Sequence, residues 1–178
     1  MRAISEKTTI EEMGAIVCQA LHDHEIEAFL SGGAVVSIYT QNRYESFDLD
    51  FVTFGDRKRI KVIMEQLGFK QDKSRFFIHP NSKYFVEFPG TSVAIGDQAI
   101  SEFAERRTGN EVLRLLTPTD CIKDRLASYI HWKDQQALDQ AVWVAKSQPF
   151  NPEKVRDFCT KEGDKTAFED FENRLREK

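Results

Sequence analysis

The sequence predicts an α/β or α+β fold, in which a mixed sheet is flanked by helices and followed by a helical C-terminal extension. Three observations support this fold class. Helical and strand-like hydrophobic patterns alternate along the first two thirds of the chain, and helical patterns follow. With 40% hydrophobic and 30% charged residues, the composition is that of a globular protein. The length of 178 residues suits one domain with a buried core.

Hydrophobic periodicity and the residues that begin or end elements predict the elements in order. Apolar residues three or four positions apart indicate helices, alternating ones indicate strands, and Gly or Pro indicates the ends. The elements expected up to residue 88 are a helix from Thr8 or Thr9, a strand over 27–31, a helix over 34–39, a strand over 46–54, a helix over 57–67, and strands over 75–79 and 83–88. Those expected after it are a strand over 111–116 and helices over 118–131, over 134–146, from Asn151-Pro152 onward and over 164–178.

We interpret residues 1–178 as a single domain, with a core over 25–115 and a C-terminal helical part over 116–178. The division falls where the last expected strand ends and Thr117-Pro118 begins a helix, with Pro at the first helical position. No internal repeat or low-complexity stretch divides the sequence further.

The charge balance disfavours one class of partner. A net charge of -4 argues against extended binding to DNA or RNA, because proteins that bind such backbones usually carry a basic excess. A basic stretch over 57–61 is the local exception, and a solvated helix face is its simpler interpretation.

The cysteines and the apolar segments indicate a cytoplasmic location. Cys18, Cys121 and Cys159 are far apart and form no CxxC pair, so neither a disulfide framework nor a structural zinc site is predicted. The N-terminus has no apolar signal core. No apolar run approaches the ~20 residues needed to cross a membrane, so no membrane partner is expected.

Asp48 and Asp50 are the first candidate site residues. Residues two apart on a strand point to one face, so the two carboxylates lie side by side while Leu49 and Phe51 face the other way. Adjacent carboxylates repel, and a bound cation would relieve the repulsion. Two acids at a solvated strand end are the equally weighted alternative.

Gly32-Gly33 lies between an expected strand and an expected helix. Glycines allow the backbone to approach a ligand, and the helix N-terminus offers unpaired N–H groups with a positive dipole end, which together suit a phosphate. The segment is neither a Walker loop nor GxGxxG. Taken by itself, the glycine pair is better explained by a plain turn with packing glycines.

Glu87 is the third candidate acid. It interrupts the otherwise apolar segment Phe85-Val-Glu-Phe. A buried carboxylate requires a partner, which is either a metal ion or a Lys or Arg side chain. If this strand neighbours the Asp48 strand, three acids meet, and three carboxylates can hold two metal ions.

The order of these parts resembles the nucleotidyltransferase superfamily, which has the fold of DNA polymerase beta. Its pattern is an apolar strand ending in Gly-Gly or Gly-Ser, a helix, Asp-apolar-Asp on a strand, and a later acidic strand residue. With Ser46 two residues before Asp48, the segment resembles the Ser/Thr-x-Asp-x-Asp form of the minimal bacterial and abortive-infection toxin-like branch. The order of Lys123 and Lys133-Asp134 is also similar to that of a later Lys and a Lys-Asp pair in this branch. The resemblance covers roughly 25–140.

The resemblance implies an activity and its participants. It implies transfer of a nucleoside monophosphate from a nucleoside triphosphate, with Mg²⁺ or Mn²⁺ held by Asp48, Asp50 and Glu87. The nucleotide contacts implied are Ser31, Gly32, Gly33, Ser46 and Lys123. The acceptor would be a small molecule, a protein or a tRNA end, and membership of the toxin-like branch would add an antitoxin partner. One departure is Tyr44, at a position where that branch often has Arg.

Two rival functions remain at this stage. A metal nuclease would require Glu-x-Lys, but Phe88 and Pro89 follow Glu87. A catalytically inactive nucleotidyltransferase-like binding module would keep the fold without the reaction. Binding of a Mg²⁺-nucleotide separates a transferase from such a module.

Overall fold

A seven-stranded mixed sheet forms the centre of the molecule, and its strand order is β3-β4-β5-β2-β1-β9-β8. The computed structural model describes residues 3–90, 94–96 and 98–177. The strands are β1 (Ala28–Ser31), β2 (Asp48–Thr53), β3 (Lys70–Gln71), β4 (Phe77–Ile78), β5 (Phe85–Glu87), β6 (Ala94–Ile95), β7 (Gln98–Ala99), β8 (Phe103–Thr108) and β9 (Glu111–Leu116). The helices are α1 (Ile10–His22), α2 (Gly32–Tyr39), α3 (Arg57–Gln66), α4 (Pro118–Trp132), α5 (Gln135–Ser147), α6 (Pro152–Lys161) and α7 (Lys165–Arg176). The predicted fold class is confirmed.

The sheet combines both pairing directions. β1 pairs antiparallel with β2 and parallel with β9, and β2 pairs parallel with β5. The other neighbours in this sheet pair antiparallel, and β6 with β7 forms a separate hairpin. β2 is therefore a central strand between β1 and β5, which places the Asp48-Asp50 strand beside the strand that carries Glu87.

One face of the sheet is covered by helices, and the other is more open. α1 packs on β1, β8 and β9, and α2 packs on β1 and β2. On this covered face Leu49 and Phe51 of β2 are fully buried, while Asp48 and Asp50 on the opposite face remain partly exposed. We call this second face, which bears Asp48, Asp50 and Glu87, the open face.

Side-chain caps fix where several helices begin. Thr9 Oγ1 accepts a hydrogen bond from the backbone N–H of Glu12, and Glu12 Oε2 accepts one from the N–H of Thr9, so a capping box starts α1. Thr117 caps α4, with Pro118 at its first position, and Asp134 caps α5. These starts agree with the predicted ones within a residue.

The C-terminal helices pack on the sheet layer without a break in the core. α4 pairs closely with α5, both contact α2, and α6 and α7 close the group. A continuous cluster of buried apolar residues extends from α1 through α7, with Phe158 and Phe171 among its largest members. The division of the chain at residues 115 and 116 stays a prediction.

Some elements differ from the sequence-based prediction. β3, β8 and the β6–β7 hairpin were not predicted, and α2 begins at Gly32 rather than at 34. β8 is an edge strand whose run of Glu105, Arg106 and Arg107 conceals the alternation, because its outward face meets solvent. Trp132, a large apolar side chain at the end of α4, is 82% exposed. Lys178, in the predicted last helix, lies outside the described residues.

Two properties bear on the expected environment. Among the described residues, no helix has both the length and the apolar character required to cross a bilayer. Cys18, Cys121 and Cys159 are buried free thiols.

Candidate active site

Asp48 and Asp50 project from the first half of β2 onto the open face. Leu49 between them and Phe51 after them are fully buried against the helices, which fixes the orientation of the strand. Rotating β2 to hide the acids would expose both apolar side chains, so packing on one face holds the carboxylates on the other.

Ser46 orients Asp48 from just before the strand. The buried Ser46 hydroxyl donates to Oδ1 of Asp48 at 2.6 Å, and its backbone N–H donates to Ser37 Oγ at 2.8 Å. Ser37 Oγ in turn donates to the carbonyl of Gly33 at 3.3 Å. A chain of hydrogen bonds therefore joins the start of α2 to the first acid, and Ser46 leaves Oδ2 of Asp48 available.

Gly32 brings the β1–α2 turn against Asp50. Its φ is +68°, and a Cβ at this position would lie 2.7 Å from Oδ2 of Asp50, so both conformation and space require glycine. Ser31 donates from Oγ to the backbone carbonyl of Asp50 at 3.2 Å, and it makes no side-chain cap on α2. The first backbone N–H groups of α2 therefore have no side-chain cap from Ser31 and lie close to the acid pair.

Glu87 lies in the same row of the sheet as Asp50. The pairing of β2 with β5 sets Asp50 opposite Glu87, and the pairing of β1 with β2 sets Ser31 opposite Asp50. The Glu87 side chain is only 15% exposed, and one of its carboxylate oxygens lies 3.2 Å from a guanidinium nitrogen of Arg75. Of the two expected types of partner, the structure shows a basic side chain, Arg75, and it also places Glu87 beside Asp50.

The acids interact electrostatically. The pKa of Asp50 is raised to about 6, mainly by burial and then by the neighbouring charges of Asp48, Glu87 and Asp124, against the opposing effect of Arg125. A carboxyl group with a pKa near 6 is one whose ionised form is poorly stabilised by its surroundings. A cation at this position would lower the cost of ionising Asp50.

Asp124 and Arg125 of α4 are site residues that the sequence reasoning missed. Arg125 donates from Nε and Nη2 to Oδ2 of Asp124 at 3.1 and 2.6 Å, and from Nη1 to Oε1 of Gln140 at 3.3 Å. Burial disfavours the Arg125 charge, but the charge and hydrogen bond of Asp124, together with smaller effects of Cys121 and Tyr44, outweigh burial and raise the pKa of Arg125. A Lys-Asp-Arg run on a helix resembles a solvated surface, so no sequence signal distinguished these two residues.

Lys123 and Lys133-Asp134 lie elsewhere. Lys123 forms an ion pair with Asp120 at 3.1 Å and lines a polar cavity of about 230 Å³ between α4, α6 and β7. Lys133 pairs with Asp164 at 3.4 Å, and Asp134 caps α5. The structure does not bring these residues together with Asp48 and Asp50, and a phosphate contact by Lys123 stays a prediction.

The residues of the open face fit a divalent cation in their chemistry. Carboxylate oxygens are preferred ligands of Mg²⁺, and the repulsion at Asp50 is of the kind that a cation relieves. Within the described residues, no three His, Cys, Asp or Glu side chains are grouped as a metal site. The third acid of the row, Glu87, is paired with Arg75.

Comparisons with known proteins concern the fold. The sequence matches no family model and no curated protein. A nucleotidyltransferase-like antigenic protein from Paracoccidioides brasiliensis superposes with a TM-score of 0.64 and 13% identity over 97% of this chain and 94% of that one. The chain has a nucleotidyltransferase-like fold.

A second solved structure shares the fold. ANT(2")-Ia, in a complex with adenylyl-2"-tobramycin, superposes with a TM-score of 0.52 and 14% identity over 86% of this chain and 96% of that one. Identities this low establish a common architecture alone. They support the predicted superfamily resemblance at the level of fold, and the toxin-like branch is not confirmed.

Proposed function

We propose that the protein is a metal-dependent nucleotidyltransferase that moves a nucleoside monophosphate from a nucleoside triphosphate to an acceptor. One observation carries the proposal. Ser31, Asp50 and Glu87 occupy one row across three strands of the open face, with Gly32 against Asp50. A turn that suits phosphates therefore lies beside a row of acids that suits cations, as phosphoryl transfer requires.

The β1–α2 turn would hold the phosphates. The N-terminus of α2 presents backbone N–H groups and the positive end of a helix dipole, which favour an anion. Gly32 and Gly33 have no side chains that would block an approach to these groups. The hydroxyl of Ser31 lies at the same edge.

The acids would hold the metal. Asp48, Asp50 and Glu87 are the residues that would bind Mg²⁺ or Mn²⁺, which would neutralise phosphate charge and lower the pKa of an attacking hydroxyl. Ser46 keeps one oxygen of Asp48 in a fixed direction by its 2.6 Å hydrogen bond. Arg125 supplies a positive charge that opposes the mutual repulsion of the acids.

The acceptor is a small molecule, a protein or a tRNA end, and the first is favoured. ANT(2")-Ia shares the fold and was solved with an adenylylated small molecule. The net charge of -4 disfavours a long nucleic acid, which would use the basic residues over 57–61. An antitoxin partner remains a proposal drawn from the sequence resemblance alone.

A second candidate function is a catalytically inactive binding module with this fold. The ion pair between Arg75 and Glu87 favours it, because an arginine neutralises an acid that the transferase would use for metal. A module of this kind would bind nucleotide with little dependence on a divalent cation.

Calorimetric titration with nucleoside triphosphates in Mg²⁺ or in EDTA tests the proposal. Asp48→Asn combined with Asp50→Asn should abolish Mg²⁺-dependent binding and leave the fold intact, because the substitutions remove a repulsion. Asp23→Asn, which removes an exposed carboxylate at the end of α1, is the control. Equal Mg²⁺-dependent binding by the wild type and the double variant would refute the metal role. Incubation with radiolabelled triphosphates and cell extract would then identify the fraction that accepts label.

A further inference from the structure

Arg75 and Glu87 form an ion pair whose two members differ in exposure. Their nearest nitrogen and oxygen atoms are 3.2 Å apart, with the Glu87 side chain 15% exposed and that of Arg75 68% exposed. The carboxylate is fixed within the sheet, whereas the guanidinium lies at the surface. Arg75 can therefore return to water at a small cost, while Glu87 cannot.

The turn that carries Arg75, over residues 72–76, is stabilised by hydrogen bonds between its own residues. The Asp72 carboxylate accepts from the N–H groups of Ser74 at 2.8 Å and Phe76 at 3.0 Å, and the Asp72 N–H donates to the Phe76 carbonyl at 2.9 Å. Arg75, inside this ring of hydrogen bonds, has a φ of +81°, which is unusual for a long side chain. Such a conformation persists where the surroundings impose it.

The same turn is attached to the strand of Glu87. The ring of Phe76 packs edge-on against that of Phe85 on β5, with 4.9 Å between ring centroids. Glu87 is two residues after Phe85 on the same face of that strand. The turn is therefore packed on the strand that carries Glu87, and this contact places Arg75 near Glu87.

We propose that Arg75 is a positioning residue for the third acid of the site: its guanidinium neutralises Glu87 in the metal-free protein, and a divalent cation bound by Asp48 and Asp50 displaces it. This inference rests on the proposed function. Arg75 and the cation compete for one carboxylate, so Arg75 sets how strongly the site binds metal. Arg75 does not contact the reacting atoms in this role.

Competition between Arg75 and the cation for Glu87 predicts that removing Arg75 changes metal affinity in a direction that other roles of Arg75 do not predict. Removing Arg75 should strengthen metal binding, because Glu87 becomes available without breaking an ion pair. If Arg75 instead bound the triphosphate, its removal would weaken nucleotide binding. If it only stabilised the turn, metal affinity would not change beyond the effect of losing one positive charge nearby.

Calorimetric titration with Mn²⁺ alone distinguishes these roles. Arg75→Gln should bind Mn²⁺ roughly three- to tenfold more tightly than the wild type, as expected for release of a partly exposed ion pair. Arg75→Lys, which keeps the charge, should remain close to the wild type. Lys73→Gln removes an exposed cation from the same turn and should change the affinity less than about twofold.

A double-mutant cycle assigns the effect to Glu87. In a Glu87→Gln background, Arg75→Gln should no longer tighten Mn²⁺ binding. Thermal unfolding of the four proteins should show coupling between positions 75 and 87 in EDTA, and saturating Mn²⁺ should remove that coupling. This second measurement needs no turnover.

The outcomes separate the inference from the proposed function. An Arg75→Gln effect equal to that of Lys73→Gln, or one that persists with Glu87→Gln, would overturn the inference while wild-type metal binding still supports the function. A wild type that binds no Mn²⁺ at these acids would overturn both, and the coupling in EDTA would then show a permanent ion pair.

Discussion

Asp50 is the residue where the proposed function and the stability of the fold conflict most directly. Its carboxylate lies under Gly32, beside Asp48 and Glu87, and its pKa is raised to about 6, first by burial and then by the charges of those acids. An acid whose folded pKa exceeds its ordinary value binds its proton more tightly in the folded state than in the unfolded one. Its favourable contribution is complete below the ordinary value of 3.8 and is lost as the pH rises through about 6. At neutral pH, the ionised Asp50 therefore destabilises the metal-free fold.

Asp50→Asn should consequently stabilise the protein in EDTA at pH 8. The expected gain is about 1–2 kcal/mol, or roughly 2–8 °C in Tm, because the amide carries no charge to bury. Thermal unfolding at pH 8 and pH 4 measures it, and the gain should disappear at pH 4, where the wild-type carboxyl is protonated. Asp23→Asn should show no such pattern, and a Tm loss at pH 8 in Asp50→Asn would contradict the electrostatic explanation.

The β1–α2 turn is the element on which the site depends most. It unites three requirements: a positive φ at Gly32, close contact with Asp50, and an open helix N-terminus. A side chain at Gly32 would disturb the Asp50 carboxylate and, at the same time, the backbone that we propose for phosphate binding. Gly33 differs, because its added Cβ would meet Ser46 Oγ and a Tyr44 ring atom at 3.2 Å, which a small adjustment relieves.

Gly32→Ala should therefore lower stability by about 2–4 kcal/mol and reduce nucleotide affinity at least tenfold. Gly163→Ala is the matched control, since Gly163 has a φ of +83° with no atom within 4 Å of an added Cβ. It should cost about 1 kcal/mol from backbone strain alone. Urea unfolding gives both values. Equal losses in the two variants would show that contact with Asp50 contributes nothing.

The same elements show how far the sequence predicts the structure. β2 and the β1–α2 turn follow from strand alternation and a glycine pair, which are local signals. The position of Glu87 beside Asp50 depends on the pairing of β2 with β5. From the sequence, the meeting of the acids could be predicted only on the condition that these two strands are neighbours. Arg125 comes from a helix far along the chain, and Arg75 from a turn expected to be a strand. Long-range pairing and side-chain direction, which no local pattern encodes, decide those positions.

At the scale of the whole molecule, the C-terminal helices contribute charges to the candidate site through α4. α4 and α5 pack on α2, and α4 supplies Asp124 and Arg125, whose charges act on Asp50. The ion pair between them is mostly buried, with side-chain exposures of 25% and 17%. A buried charge that loses its partner is strongly destabilising, so this pair links the helical layer to the charge balance of the open face.

Arg125→Met should lower stability by about 3 kcal/mol, or roughly 6–12 °C in Tm, because Asp124 would remain buried without its counter-charge. Adding Asp124→Asn should recover at least about 1 kcal/mol of that loss. Thermal unfolding of the two single variants and the double variant measures the coupling. Strictly additive losses would show that the two charges do not stabilise one another.

Because all three cysteines are buried, the rate at which each one is alkylated reports local opening of the surrounding structure. Cys18 is on α1, Cys121 on α4 and Cys159 on α6, and burial raises the pKa of each thiol, so the reactive thiolate is scarce in the closed state. Alkylation by iodoacetamide should then proceed only when a segment opens. Mass spectrometry after short exposures should show independent rates at the three positions, with Cys121 the slowest because it is wholly enclosed between the helical layer and the sheet. Labelling of Cys121 as fast as that of the unfolded chain would mean that α4 separates from its neighbours under native conditions.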